Sequence, residues 1–172
     1  MRAFALSLLA LASVAHAEPP RLALGLAGLG FLLGHWSDGK GVVADTGGTS
    51  TGVSEITAEA GGAVLLRRDH TSLYDRSGKP AGGFDQIMMI YPENGALHAD
   101  YSDGAHVIHY TSAEVQEGRS VTFSSPPQAG APAYRLTYER SDPDTLKVSF
   151  SMAPPGTKVF RPIATGALSR TR

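Results

Sequence analysis

The chain has 172 residues, with 15 Lys+Arg against 16 Asp+Glu, six histidines, one tryptophan and no cysteine. Without cysteine there is no disulfide framework, lipid-modified cysteine or thiolate ligand, and stability must come from an apolar core. A formal charge of −1 with both signs interspersed argues against nucleic acid or an anionic membrane surface as partner.

Met1-Arg2, an apolar stretch over 3–14 and Ala15-His16-Ala17 followed by Glu18-Pro19-Pro20 read as a secretory signal peptide cleaved after Ala17. The expected organisation is therefore a signal peptide over 1–17 and one barrel domain over 18–172, periplasmic or secreted. The remaining ~155 residues (172 − 17) suffice for one sizeable core. A second apolar run over 22–33 falls short of the roughly 18 residues that mark a spanning helix, so no stable membrane insertion is expected. Within it Leu22, Leu26, Leu29 and Leu33 recur at helical spacing despite Gly25, Gly28 and Gly30, which predicts a short, imperfect helix.

Gly34-His35-Trp36 follows. A lone tryptophan at the start of the first strand is expected to plug one end of the fold, with the Arg170 guanidinium stacked on the indole. The Gly/Asp/Thr-rich stretch up to Thr51 reads as a flexible connection or an irregular first strand. From Val53 a period of two takes over, predicting strands over 53–60, 63–71, 84–91, 96–102, 105–113, 119–124, 133–140, 145–152 and 163–170. Tight turns such as Gly61-Gly62, Asn94-Gly95, Asp103-Gly104 and Glu117-Gly118 join many of them and leave no room for crossover helices. The expected fold is all-β: an antiparallel up-and-down barrel of roughly ten strands, closed to remove its edges, with a short N-terminal helix.

Two-residue loops would fix the register. At Asn94-Gly95, Ile90 would oppose Ala99 and Met88 would oppose Tyr101. At Asp103-Gly104, Tyr101 would oppose His106 and His98 would oppose His109. The interior face then carries aliphatic residues together with Gln86, Met88, Tyr101, His106, Tyr110, Tyr134 and Tyr138, which are the candidate ligand-binding residues. The outer face carries Asp85, Ile87, Met89, Tyr91, His98, Asp100, Val107 and His109.

A secreted chain with a short helix, then Phe31-Leu32-Leu33-Gly34-His35-Trp36, then a meander ending in Gly166-Ala167-Leu168-Ser169-Arg170, resembles the calycin superfamily. That group includes lipocalins, fatty-acid-binding proteins and nitrobindin-like barrels; the layout is most similar to a bacterial lipocalin-like group, DUF1579-like. The resemblance implies a ligand cavity, and the expected lining suits a small apolar or amphipathic molecule. A barrel packed solid stays open beside it. Nitrobindin-like barrels hold haem through a late histidine, whereas no histidine follows His109 here; His106 or His109 as another axial ligand stays open.

No cofactor is required by the sequence. His98, Asp100 and His109, expected on one face, are candidate ligands for a divalent metal, set against a solvated surface group. Arg68 is expected to pair with Glu55 across the Gly61-Gly62 hairpin, with an inward Arg68 holding a ligand carboxylate as the alternative. There is no Gly-x-Ser-x-Gly elbow, phosphate-binding glycine loop or His-Glu-x-x-His. The reading is thus a binding protein rather than an enzyme. An enzyme or metal protein using the histidine-rich hairpin, and an interaction barrel or homodimer joined through the outer Ile87-Met89-Tyr91 stripe, remain as alternatives.

Overall fold

The computed structural model describes residues 21–171, so the expected signal peptide lies outside the described residues. A 3-10 helix, Leu24–Leu32, leads into eleven strands: β1 Gly34–Val43, β2 Gly48–Glu59, β3 Val64–Tyr74, β4 Pro80–Glu93, β5 Ala96–Ser102 and β6 Val107–Tyr110. β7 Ser112–Gln116, β8 Ser120–Ser124, β9 Ala133–Asp142, β10 Thr145–Ala153 and β11 Arg161–Arg170 complete them. All pair antiparallel in one sheet ordered β6-β5-β4-β3-β2-β1-β11-β10-β9-β8-β7. The two strands at the ends of that order are consecutive in the chain. Thr111 alone separates them, and its N–H donates to Ser124 O at 3.1 Å. The expected strand over 105–113 is therefore one run that changes partner midway, and this covalent continuity closes the barrel.

The stretch after Trp36 is strand almost from its start, because β11 and β2 pair with β1 on its two sides despite its glycines. Register shifts between Ser37 and Lys40 on one side and between Trp36 and Gly41 on the other mark a bulge there. Such an irregularity hides the period-two pattern from a sequence reading.

The turns divide between two ends. Residues 60–63, 94–95, 117–119 and 143–144 gather at the end covered by the 3-10 helix, while 44–47, 75–79, 103–106, 125–132 and 154–160 gather at the other. Gly25 and Gly28 let the helix sit down on its end: a Cβ on Gly25 would meet Pro92 at 2.8 Å, and one on Gly28 would meet Glu117 at 3.1 Å. Gly28 O also accepts from Gly118 N–H, and Ala23 N–H donates to Gly62 O, both at 2.9 Å. Leu26, Leu29 and Leu32 fill the barrel above, against Ile56, Leu65, Ile90 and Phe123.

Trp36 is 1% exposed and paired with Arg170 across β1 and β11. The end of a helix leaves carbonyls without partners, and these two side chains take three in succession. Arg170 Nη2 donates to Phe31 O at 3.2 Å, Trp36 Nε1 to Leu32 O at 2.8 Å and Arg170 Nη1 to Leu33 O at 2.6 Å. The guanidinium also lies 4.1 Å over the indole. Gly34 is what makes room for it: its φ is +121°, and a Cβ there would come within 2.6 Å of Arg170 Nη1.

Two registers bear on the site. The Asn94-Gly95 hairpin pairs Ile90 with Ala99 and Met88 with Tyr101, as expected. The Asp103-Gly104 hairpin does not have its expected register: Tyr101 pairs with Ile108, and His109 pairs with Asp100 rather than His98. Asp103 is the reason. Its Oδ1 accepts from Ala105 N–H at 3.0 Å and His106 N–H at 2.6 Å, so the connection becomes a side-chain-capped turn over 103–106. The slip is by two residues, so inside and outside are preserved.

Candidate functional site

The two ends of the barrel are filled differently. Away from the helix lies a cavity of about 350 Å³, walled by small residues of β1, β2 and β11 and, on the adjoining strands β10 and β9, by Val148, Phe150 and Leu136. Val43 and Leu73 line it and also line a second depression formed with Thr46 and residues 74–77, and Asp103 lines it too, so the cavity reaches the end of the barrel where the 44–47, 75–79 and 103–106 turns gather.

Arg67 lies inside, only 6% exposed. It reaches the interior by alternation on β3, where Leu65, Arg67, Asp69, Thr71 and Leu73 share the inward face. Its guanidinium is saturated. Nε donates to Asp69 Oδ2 at 2.6 Å and Nη2 donates to the same oxygen. Nη2 also donates to Gln86 Oε1 at 3.2 Å, while Nη1 donates to Tyr138 OH at 2.5 Å and to Met88 Sδ at 3.6 Å. An arginine has five N–H groups, and these contacts use all of them. Burial is the largest single influence on Arg67 and acts to lower its pKa, but Asp69, Tyr138 and Tyr101 together outweigh it and raise it.

The polar cluster extends from there. Gln86 Nε2 donates to Thr71 Oγ1 at 2.7 Å, and Tyr101 OH donates to Gln86 Oε1 at 3.3 Å. Burial, then the neighbouring Asp103, push the Tyr101 hydroxyl up to about 12, and burial likewise raises Tyr110 and Tyr138. At the rim, Asp103 is held below the usual carboxylate range: burial opposes this, but hydrogen bonds from His106 and Ala105 outweigh it. One atom stands apart. Among the described residues, Asp69 Oδ1 is the buried side-chain polar atom with no hydrogen-bond partner, a deficit that costs about 1–3 kcal/mol if left unmet.

Of the candidate ligand-binding residues, Gln86, Tyr101, Tyr110 and Tyr138 line the cavity. Met88 is fully buried beneath it against Arg67. Tyr134 does not line it, but stacks on Phe150, which does, at 5.6 Å between ring centres. His106 is displaced outright: the 103–106 turn carries it outside, 74% exposed, with Nδ1 3.2 Å from Asp103 Oδ2. The inward arginine is Arg67 and not Arg68, which is exposed and pairs in register with Glu55. Arg67, Asp69 and Thr71 were legible by counting in twos from Leu65; the opposite charges of Glu55 and Arg68 drew attention to the wrong face.

His98, Asp100 and His109 do not converge. His109 Nδ1 lies 2.6 Å from Asp100 Oδ1, but His98 pairs with Tyr91 and stacks on its ring at 5.8 Å. Tyr91 OH donates to the other Asp100 oxygen at 3.0 Å. Among the described residues no three His, Asp or Glu side chains are grouped to hold a metal ion. No described helix is long and apolar enough to cross a membrane. Ile87 and Met89 of the outer stripe are 48% and 41% exposed.

No protein-family model and no curated protein matches the sequence. Among solved structures, that of EF1p2_mFAP2b bound to DFHBI aligns over 86% of this chain and 99% of its own, with 13% identity and a TM-score of 0.45.

Proposed function

We propose that the chain is a secreted or periplasmic barrel of calycin-like type that binds a small, mainly apolar or amphipathic molecule in the cavity opposite the helix. The observation that carries this reading is an open-ended space of about 350 Å³ inside a barrel whose other end is densely filled. That volume sits at the lower end of the roughly 300–1,000 Å³ range of small-molecule sites. Its lining has the composition such sites use, with leucine, valine and phenylalanine around a few fixed polar groups. The secretory location rests on the sequence pattern of residues 1–17 and the calycin-like assignment on the Gly34-to-Trp36 and Gly166-to-Arg170 segments. The exposed Ile87 and Met89 favour pairing of two copies as a second, weaker reading.

The test is uptake of prodan, a neutral apolar fluorophore. The protein is expected to bind one molecule per chain with a blue-shifted emission, and Val148→Trp, which fills the cavity, is expected to keep the fold and lose the shift. Absence of uptake, or equal uptake by the filled variant, would overturn the reading. Native mass spectrometry of protein from its own source would then identify any retained molecule by mass.

A further inference from the structure

We infer that the cavity selects ligands bearing a hydrogen-bond donor, such as an alcohol or an amine, and rejects carboxylates. The inference rests on the small-molecule reading above and adds the chemistry of the headgroup.

A buried arginine in an apolar barrel looks at first like an anion receptor. The geometry argues otherwise, because every N–H of Arg67 is already given to Asp69, Gln86, Tyr138 and Met88. A ligand carboxylate would have to break one of these bonds, and the strongest of them is charge-assisted. What the site offers is the complement. Asp103, which lines the cavity at its rim with a side chain 18% exposed, carries the carboxylate that a ligand can reach, whereas Asp69 Oδ1 is buried out of contact with the cavity. A donor bound beside Asp103 gains a charge-assisted hydrogen bond.

Charge points the same way. Among the described residues, the ionic side chains lining the cavity are Arg67, Asp69 and Asp103, one cation against two carboxylates. Arg67 and Asp69 neutralise each other, leaving Asp103 at the rim as the excess charge; its nearest cationic group when protonated is the exposed His106 imidazole. An incoming anion thus meets repulsion at the rim and no free donor on Arg67, whereas an ammonium or hydroxyl meets the Asp103 acceptor there.

Displacement of prodan by four eight-carbon compounds tests this: octylamine, 1-octanol, methyl heptyl ether and octanoate, at neutral pH. Octylamine is expected to displace at a concentration at least about tenfold below octanoate, and octanol at least about tenfold below the ether. The first pair compares two charged headgroups and the second two neutral ones, so general hydration of ions accounts for neither. In the Asp103→Asn protein, which loses the charge and replaces one reachable acceptor oxygen by an amide donor, both ratios are expected to fall to about twofold or less. Octanoate equal to or better than octylamine, or ether equal to octanol, with prodan still bound, would overturn the donor selectivity and leave the cavity reading standing. Prodan that never binds the unsubstituted protein would overturn both. The unsubstituted protein alone decides the question if the Asp103→Asn variant does not fold.

Discussion

The two ends of this barrel use the same kinds of residue for opposite purposes. At the helix end, Arg170 is spent on backbone: it takes the carbonyls of Phe31 and Leu33, while Trp36 takes that of Leu32 between them. At the cavity end Arg67 is spent on side chains, and its partner Asp69 keeps one oxygen unused. The first arrangement is complete without anything else, and the second is not. A chain without disulfides must concentrate its stability somewhere, and filling one end leaves the other free to hold an incomplete polar group beside empty space.

Substitutions can break this contrast. Trp36→Ala removes the largest buried side chain and its capping bond, and is expected to lower the unfolding free energy by about 3–5 kcal/mol, measured by urea titration. Prodan uptake by the fraction that remains folded should be unchanged, since Trp36 does not line the cavity. Arg67→Met, which leaves Asp69 buried without its cation, is expected to cost a similar ~3–5 kcal/mol. Adding Asp69→Leu should then recover most of the loss, because a buried ion pair replaced by apolar residues of similar volume is often neutral. Recovery in the double variant would separate this end from the other, where no second change restores Trp36→Ala. Gly34→Ala should cost less, about 1–3 kcal/mol, through a side chain forced to positive φ and displacement of the Arg170 guanidinium.

The sequence made the helix end more readable than the cavity end, for physical reasons. Trp36 and Arg170 stand at the two termini of a meander, and closure of an antiparallel sheet brings such positions side by side. The inward placement of Gln86, Met88, Tyr101, Tyr110 and Tyr138 followed from alternation, which survives a register slip of two. His106 did not, because the Asp103 carboxylate captured the backbone donors of the turn and pulled the histidine out of the strand. The change of partner at Thr111 did leave a trace, since the inward positions step from Ile108 and Tyr110 to Ala113, a break in the period of two at the point where the strand changes neighbours. The glycines of residues 25–30 read as flaws in a helix; Gly25 and Gly28 are where it touches the barrel. Arg67 and Asp69 were in the alternating pattern but carry charges, and a count that expects apolar residues inside passes over them.

Alkaline pH offers a last separation, one that is silent at neutrality. Tyr101 is pushed up to about 12, and Tyr110 and Tyr138 are also raised, all by burial around the cavity. In the unfolded chain tyrosine ionises near pH 10, so the folded state holds protons that the unfolded state has released. The sign follows: this contribution is fully present below about pH 10 and is lost as the pH rises through about 12. A tyrosinate absorbance titration should therefore find Tyr101, Tyr110 and Tyr138 still protonated in the folded protein at a pH where the tyrosines of the urea-unfolded chain have ionised. Six tyrosines ionising together near pH 10 in a still-folded barrel would mean that water reaches the cluster around Arg67 freely. The polar floor would then not be the desolvated group on which the contrast between the two ends depends.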